Sequence, residues 1–319
     1  MLTNTQEPES ERQGLMISKR CVLAGGSGFL GRALMAELVK QGYQVMVLTR
    51  SPGNDARGVQ YVEWDGRTPG RWADTLAGAQ AVINLTGKSV NCRYNPENRR
   101  EILSSRVDSV NVIGEVIRHC AQPPEVWVQC ASSAIYGDAG ETICDENATV
   151  GEGFSPATCQ VWEQTFDSQP APGTRKVLLR IGFVLGRGEG ALGTLSKLAR
   201  CYLGGTVGSG RQYISWLHLN DLSRVFLHAI EHRDMEGLFN VCSPHPVTNR
   251  QFMHELRLAL RRPWSPPVPP WAVRFGCRLM STEPELALHG RRCPAQRLQE
   301  NGFTFSYPYL REALYDLLA

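Results

Sequence analysis

No two of the ten cysteines stand in a Cys-x-x-Cys spacing, and the seven histidines form no cluster at metal-ligand intervals. That absence argues against a zinc ribbon or a dithiol redox centre. The cysteines, scattered from Cys21 to Cys293, read as free thiols of a reducing compartment. Uninterrupted apolar runs of about 18 residues are also missing, so no membrane-spanning helix is expected. Neither sign of charge is in excess: 34 basic residues face 31 acidic ones, a formal charge of +3. Net charge therefore gives no ground for a nucleic-acid or membrane partner, and leaves small molecules or protein, a homodimer included. Residues 1–18 lack an apolar centre and are expected to form a short disordered tail, neither signal peptide nor anchor, on a cytoplasmic protein.

What is present is a repeated order of short apolar run, turn and amphipathic helix. In the first two thirds of the chain this alternation predicts βαβ units and a doubly wound parallel α/β sheet. Strands are expected at Cys21 to Ala24, Val45 to Leu48, Val59 to Trp64, Ala81 to Leu85, Val126 to Cys130, Val177 to Ile181 and Leu238 to Cys242. Asn95-Pro96-Glu97 is a helix start with cap, first-turn proline and acidic residue. The helix should run to about Cys120 with Leu103, Val107, Val110, Ile113 and Ile117 as its core stripe. Further helices are expected at Asp221 to His232 and Asn249 to Arg261. Five prolines between Pro263 and Pro270 form an extended connector to a final helical and irregular stretch. The expected organisation is a nucleotide domain over 19–186 and a smaller lobe over 187–319, with 214–242 returning to the sheet.

The turn Gly25-Gly26-Ser27-Gly28-Phe29-Leu30-Gly31 follows a buried strand and opens a helix. There Gly25 permits a tight turn, Gly28 admits a pyrophosphate, and Gly31 lets helix and strand pack closely. The helix amino terminus then offers unpaired N–H donors to an anion. At the end of the second strand, where an NAD site places an acid for the ribose 2′-hydroxyl, the chain has Thr49-Arg50-Ser51. A guanidinium there suits a 2′-phosphate and favours NADP(H), although a solvated loop arginine would read the same.

From Arg20 to near its end the sequence resembles the atypical, extended short-chain dehydrogenase/reductase subgroup described as epimerase family proteins of the YfcH type. The segments that carry the likeness are the Gly-x-x-Gly-x-x-Gly turn, Ala81 to Gly87, Arg180 to Gly186, Gly204 to Asp221 and Phe239 to Phe252. The resemblance implies a Rossmann-like fold and NADP(H) held by the glycine turn, Thr49, Arg50, Leu85, Thr86 and Gly87. Glu101, Arg106 and Val184 match further cofactor-contact positions, while from the residues alone Glu101 and Arg106 read equally well as a solvated helix face.

Short-chain reductases and epimerases generally use Tyr-x-x-x-Lys with a Ser or Thr. Counting back from Glu163 puts Ser155 in the Tyr position and Cys159 in the Lys position. Ser132, four residues before Tyr136, is the candidate for polarising a substrate oxygen, with Ser133 adjacent. Cys159 reads as a buried small hydrophobe or a thiolate, and Tyr136 as packing or a stand-in proton donor. Gly208-Ser209-Gly210-Arg211 reads as an anion loop or a surface turn, and His218 with Asp221 as cap and core. Two functions follow as expectations: an NADP(H)-dependent oxidoreductase or epimerase-like enzyme on a small carbonyl or hydroxyl compound, or a noncatalytic NADP(H)-binding sensor or scaffold. A sugar-nucleotide epimerase proper is disfavoured by the absent Tyr and Lys.

Overall fold

In the computed structural model residues 19–318 are described; the tail expected over 1–18 lies outside them. Seven strands pair side by side in one parallel sheet. These are β1 (Arg20–Ala24), β2 (Gln44–Thr49), β3 (Val59–Glu63), β4 (Ala81–Asn84), β5 (Val126–Ser132), β6 (Arg175–Ile181) and a later strand, β10 (Gly237–Val241). Their order is β10-β6-β5-β4-β1-β2-β3, and every neighbouring pair is parallel. Alternate residues of β1 explain why both faces need helices. Cys21 and Leu23 enter one core, with Leu34 and Leu38 of α1 (Phe29–Lys40). Val22 and Ala24 enter the other, with Val110, Ile113 and Ile117 of α2 (Pro96–His119) and Trp162 and Phe166 of α3 (Phe154–Ser168). Each large aliphatic side chain so buried is worth about 1.5–3 kcal/mol against exposure.

The order reverses between β1 and β4. Successive strands after β1 are added on one side and those after β4 on the other, which leaves a crevice beyond the carboxyl ends of these two strands. The turn after β1 and the Leu85-Thr86-Gly87 segment after β4 meet there.

α2 starts as the sequence predicts: Asn95 Oδ1 accepts from the Asn98 amide at 2.8 Å, with Pro96 in the first turn. Its core stripe differs from the expected one in the first half. Ile102 is buried, whereas Leu103 and Val107 are only half-buried, because Ser105 and Arg106 turn toward the Gly87-Lys88 backbone.

Beyond β6, the short β7 (Phe183–Leu185) leads to α4 (Gly190–Arg200), a helix that the glycines at 190 and 193 hide from a reading by periodicity. Next come β8 (Tyr213–Ile214), β9 (Trp216–His218), α5 (Leu219–Glu231), β10, β11 (Val247–Thr248) and α6 (Asn249–Ala259). β9 pairs with β7 and β11 with β8. The last segments are α7 (Pro270–Leu279), α8 (Glu285–Leu288), α9 (Gln296–Glu300) and α10 (Leu310–Leu318). Phe303 and Phe305 return to the core beneath α1 and α5. Asp221, fully buried, pins that return by accepting from the Ser306 and Tyr307 amides at 2.8 and 2.9 Å. The companion His218 accepts from the Asn220 amide at 3.1 Å and stacks on Tyr307. Both residues therefore act in capping and packing.

Candidate functional site

Gly25 has φ +75°, and a side chain there would stand 3.0 Å from the Thr86 backbone. Bare backbone is thus what lets the first turn lie against the segment after β4. At Gly31 an added Cβ would fall 2.4 Å from the Gly26 carbonyl oxygen, inside any contact distance. Gly28, by contrast, opens on free space, with only the Gly25 oxygen within 4 Å, at 3.8 Å. It precedes α1 without a side-chain cap, so the first amides of α1 face that space with nothing on their own helix to bond. Ser27 is exposed and Gly26 buried; Leu30 packs against the α1 core. Phe29 lies against Gly186, where a Cβ would meet its ring at 2.5 Å.

Thr86 supplies a second sign of a ligand. Its Oγ1 is buried with no hydrogen-bond partner among the described residues, a state that ordinarily costs about 1–3 kcal/mol. A bound group at this crevice would satisfy it. Thr49, buried at the end of β2, accepts from the Ser51 amide at 3.4 Å, whereas Arg50 is exposed and makes no hydrogen bond or ion pair among the described residues. An exposed, uncommitted guanidinium at this strand end suits a phosphate. Two residues not singled out in the sequence close the other side. Arg32 of α1 donates to the Ser27 carbonyl at 2.8 Å and pairs with Glu189, which precedes α4.

The remaining candidates divide. Leu85 and Val184 are half-buried and pack on the first core. Glu101 is at the exposed edge, its carboxylate paired with Lys88, whose ammonium holds the Glu101 pKa below the usual range. Arg106 lies deeper. It touches Gly87, where a Cβ would sit 3.1 Å from the guanidinium carbon, and its carbon lies 5.0 Å from the Trp162 ring centre. Its Nη1 donates to the Lys88 and Ile102 carbonyls at 3.1 and 2.7 Å, and no ion pair neutralises it among the described residues. Burial accordingly lowers its pKa.

Ser132 accepts from the Ala134 amide at 3.2 Å and so caps the turn after β5. Its hydroxyl proton is not used by that bond. Ser133 is buried, as is Tyr136. The Tyr136 hydroxyl stands 2.8 Å from both the Asp145 carbonyl and Asn240 Oδ1, and accepts from Arg180 Nη1 at 2.8 Å. Arg180 also holds Glu163 through two bonds of 2.9 and 2.7 Å. That network commits Tyr136 to packing. Cys159 is likewise a neutral thiol: burial pushes its pKa up to about 12, against the opposing pull of Arg106.

Ser155, which counting back from Glu163 puts in the tyrosine position of Tyr-x-x-x-Lys, donates to Glu285 of α8 at 2.8 Å. Beside it stands Tyr94, whose hydroxyl is buried and makes no well-formed hydrogen bond among the described residues. Its ring packs edge-on to Phe154 at 4.9 Å and its amide donates to Glu283 at 2.7 Å. Burial pushes the phenol pKa up to about 12, with Ser155 drawing it down. Tyr94, Ser155 and Glu285 come from three distant segments, and of them the sequence singled out Ser155 alone. Arg106 is within electrostatic reach of Tyr94 and Cys159, so a cation does stand near the place vacated by the lysine.

Comparison with known proteins agrees with this geometry. The model of the NAD dependent epimerase/dehydratase family matches residues 21–242, and a domain of unknown function, DUF1731, matches residues 268–317. The epimerase family protein YfhF of Bacillus subtilis is 32% identical over 301 residues, 93% of this chain and 97% of its own. The human epimerase family protein SDR39U1, in a crystal structure with NADPH, superposes with a TM-score of 0.84. Its identity is 31%, covering 94% of this chain and 99% of that one. A nucleoside-diphosphate sugar epimerase from Corynebacterium glutamicum gives a TM-score of 0.76 at 26% identity, over 94% of this chain and 58% of that one.

Proposed function

Because the chain belongs to the NAD dependent epimerase/dehydratase family, we propose that it binds NADP(H) in the glycine crevice and acts on a small carbonyl or hydroxyl compound. The observation that carries the cofactor reading is the unpartnered Thr86 hydroxyl beside Gly25. The uncommitted Arg50 at the end of β2 and the NADPH in the human relative's crystals support the choice of NADP(H). Gly25 to Gly31 would hold the pyrophosphate, Thr49 and Arg50 the 2′-phosphate end, and Leu85, Thr86, Gly87, Arg106 and Val184 the remainder.

The nicotinamide, when bound, supplies or accepts a hydride. What this chain's residues add is polarisation and a proton. Ser132 keeps its hydroxyl proton for a substrate oxygen while its lone pair is held by the Ala134 amide. Tyr94, with a pKa near 12, stays protonated at neutral pH and is the proton donor for a substrate oxygen that becomes an alkoxide. The Arg106 guanidinium stabilises the phenolate left behind. Water reprotonates the phenolate through the Ser155 hydroxyl, which takes a proton from water as it gives up its own, and Glu285 holds that hydroxyl in place.

A second reading, a noncatalytic NADP(H) sensor, is favoured by Ser155 and Cys159 standing where Tyr and Lys would be. Titration with NADPH and NADH by fluorescence and calorimetry tests the cofactor reading. NADPH should bind at least tenfold tighter, about 1.4 kcal/mol, and Arg50→Ala should lose most of that preference. If neither nucleotide binds, both readings fail. Tight binding without NADPH consumption across a broad carbonyl panel would leave the sensor.

A further inference from the structure

Between Glu255 and Glu283 the chain carries five arginines and no acidic residue, a local excess that the net charge of +3 conceals. The same stretch exposes Trp264, Trp271, Phe275, Leu279 and Met280 at 67, 71, 62, 72 and 51%. Five of the largest apolar side chains on the surface thus lie within one short segment, and exposure of this degree costs free energy unless something covers it.

The geometry of α7 organises them. At about 100° per residue, Arg274, Arg278, Trp271, Phe275 and Leu279 follow one another around an arc of about 140°. Val273 and Cys277 occupy the opposite side and are buried. α7 therefore seats a narrow stripe on the protein and turns its wide apolar face outward, with both arginines along one edge. Tyr202 and Leu203, 49 and 56% exposed, adjoin the Trp264 end. Ser265 donates to the Tyr202 carbonyl, and the Arg262 guanidinium covers the Tyr202 ring at 5.4 Å. Arg200 and Arg261 are exposed close by in the chain.

We infer that this face docks on an anionic phospholipid surface. Bulky aromatic and aliphatic side chains beside exposed arginines, with no carboxylate between them, are complementary to a headgroup layer of negative charge over an apolar interior. A twofold contact between copies of the chain would pair two faces of the same positive charge, with no carboxylate between Glu255 and Glu283 on either to answer it, so charge opposes that occupant. The helix is too short to cross a bilayer, and no described helix is long and apolar enough to do so. The attachment is consequently peripheral and salt-sensitive.

The test is co-sedimentation of the full chain with vesicles of phosphatidylglycerol and phosphatidylcholine, against pure phosphatidylcholine. Binding to the anionic vesicles should be at least tenfold stronger, weaken in 0.5 M salt, and shift tryptophan emission to the blue. Trp271→Glu with Phe275→Glu should abolish it. Arg274→Glu with Arg278→Glu should weaken it at least tenfold, and both variants should keep the wild-type melting temperature because these side chains are exposed. Equal binding of wild type and both variants would overturn the inference, as would absence of binding. A wild-type dimer in light scattering that Trp271→Glu with Phe275→Glu dissociates would also overturn it, assigning the face to self-association.

Discussion

Replacing Gly31 by alanine separates what the glycine turn does for folding from what it does for binding. Position 31 is inside α1, where alanine by intrinsic propensity should stabilise the helix by about 1 kcal/mol. The structure opposes this. The new methyl would stand 2.4 Å from the Gly26 oxygen and 2.5 Å from its carbonyl carbon and Cα, about 1 Å inside contact, and all three are backbone atoms. The only relief is to lift α1 from β1, which loosens Leu34 and Leu38, both now at most 1% exposed. Overpacking of this kind costs about 1–3 kcal/mol, and a backbone obstacle belongs at the upper end. The net loss is then about 2 kcal/mol, or a melting temperature lower by about 3 °C for a chain of this size. Gly28→Ala is the control, since its methyl points into the open crevice. It should melt as wild type without ligand yet bind NADPH at least tenfold more weakly. Thermal melts and NADPH titrations of the two variants decide the matter. A Gly31→Ala protein as stable as wild type would refute the close packing of the turn, and undiminished NADPH binding by Gly28→Ala would refute its use as the phosphate cradle.

Tyr94→Phe removes a buried hydroxyl that has no good partner, so it should leave stability unchanged or raise it by up to about 1 kcal/mol. On any substrate found it should cut kcat at least 100-fold with NADPH affinity intact; an unchanged kcat would remove Tyr94 from the chemistry. Asp221→Ala leaves the Ser306 and Tyr307 amides unpaired and should cost about 3 kcal/mol, read as a melting temperature about 4–5 °C lower. Burial lowers the His218 pKa against the pull of Asp316 and Asp221, so below about pH 6.5 the unfolded chain binds the extra proton. Stability should be full above that pH and fall on acidification toward pH 5, with a shallower fall in His218→Gln; an equal slope in the variant would assign the loss elsewhere.

The sheet was legible because parallel strands buried on both faces leave continuous apolar runs such as Ala81 to Leu85, and their separation by amphipathic helices fixes the winding. The glycine turn was legible because its spacing answers a local steric demand. α4 was not, since Gly190 and Gly193 break the helical signal that Leu192 and Ala199 supply, and packing overrides propensity there. The proton-donor group was hidden for another reason. Ser155 and Glu285 are 130 residues apart in sequence, and no periodicity encodes a meeting between one loop and two helix starts. Arg32 and Glu189, 157 apart, were illegible in the same way.

The docking of Phe303 and Phe305 into the core beneath α1 and α5 bears on how the molecule is made. The main sheet has all its strands once β10 has left the ribosome, but the apolar surface under α1 and α5 stays open until Phe303 and Phe305 have followed. Growing chains must spend the seconds between completing β10 and reaching Phe305, at about 5–20 residues per second, with that surface accessible to chaperones. A premature stop after α6 would release a product that keeps every sheet strand and still lacks the plug for its own core.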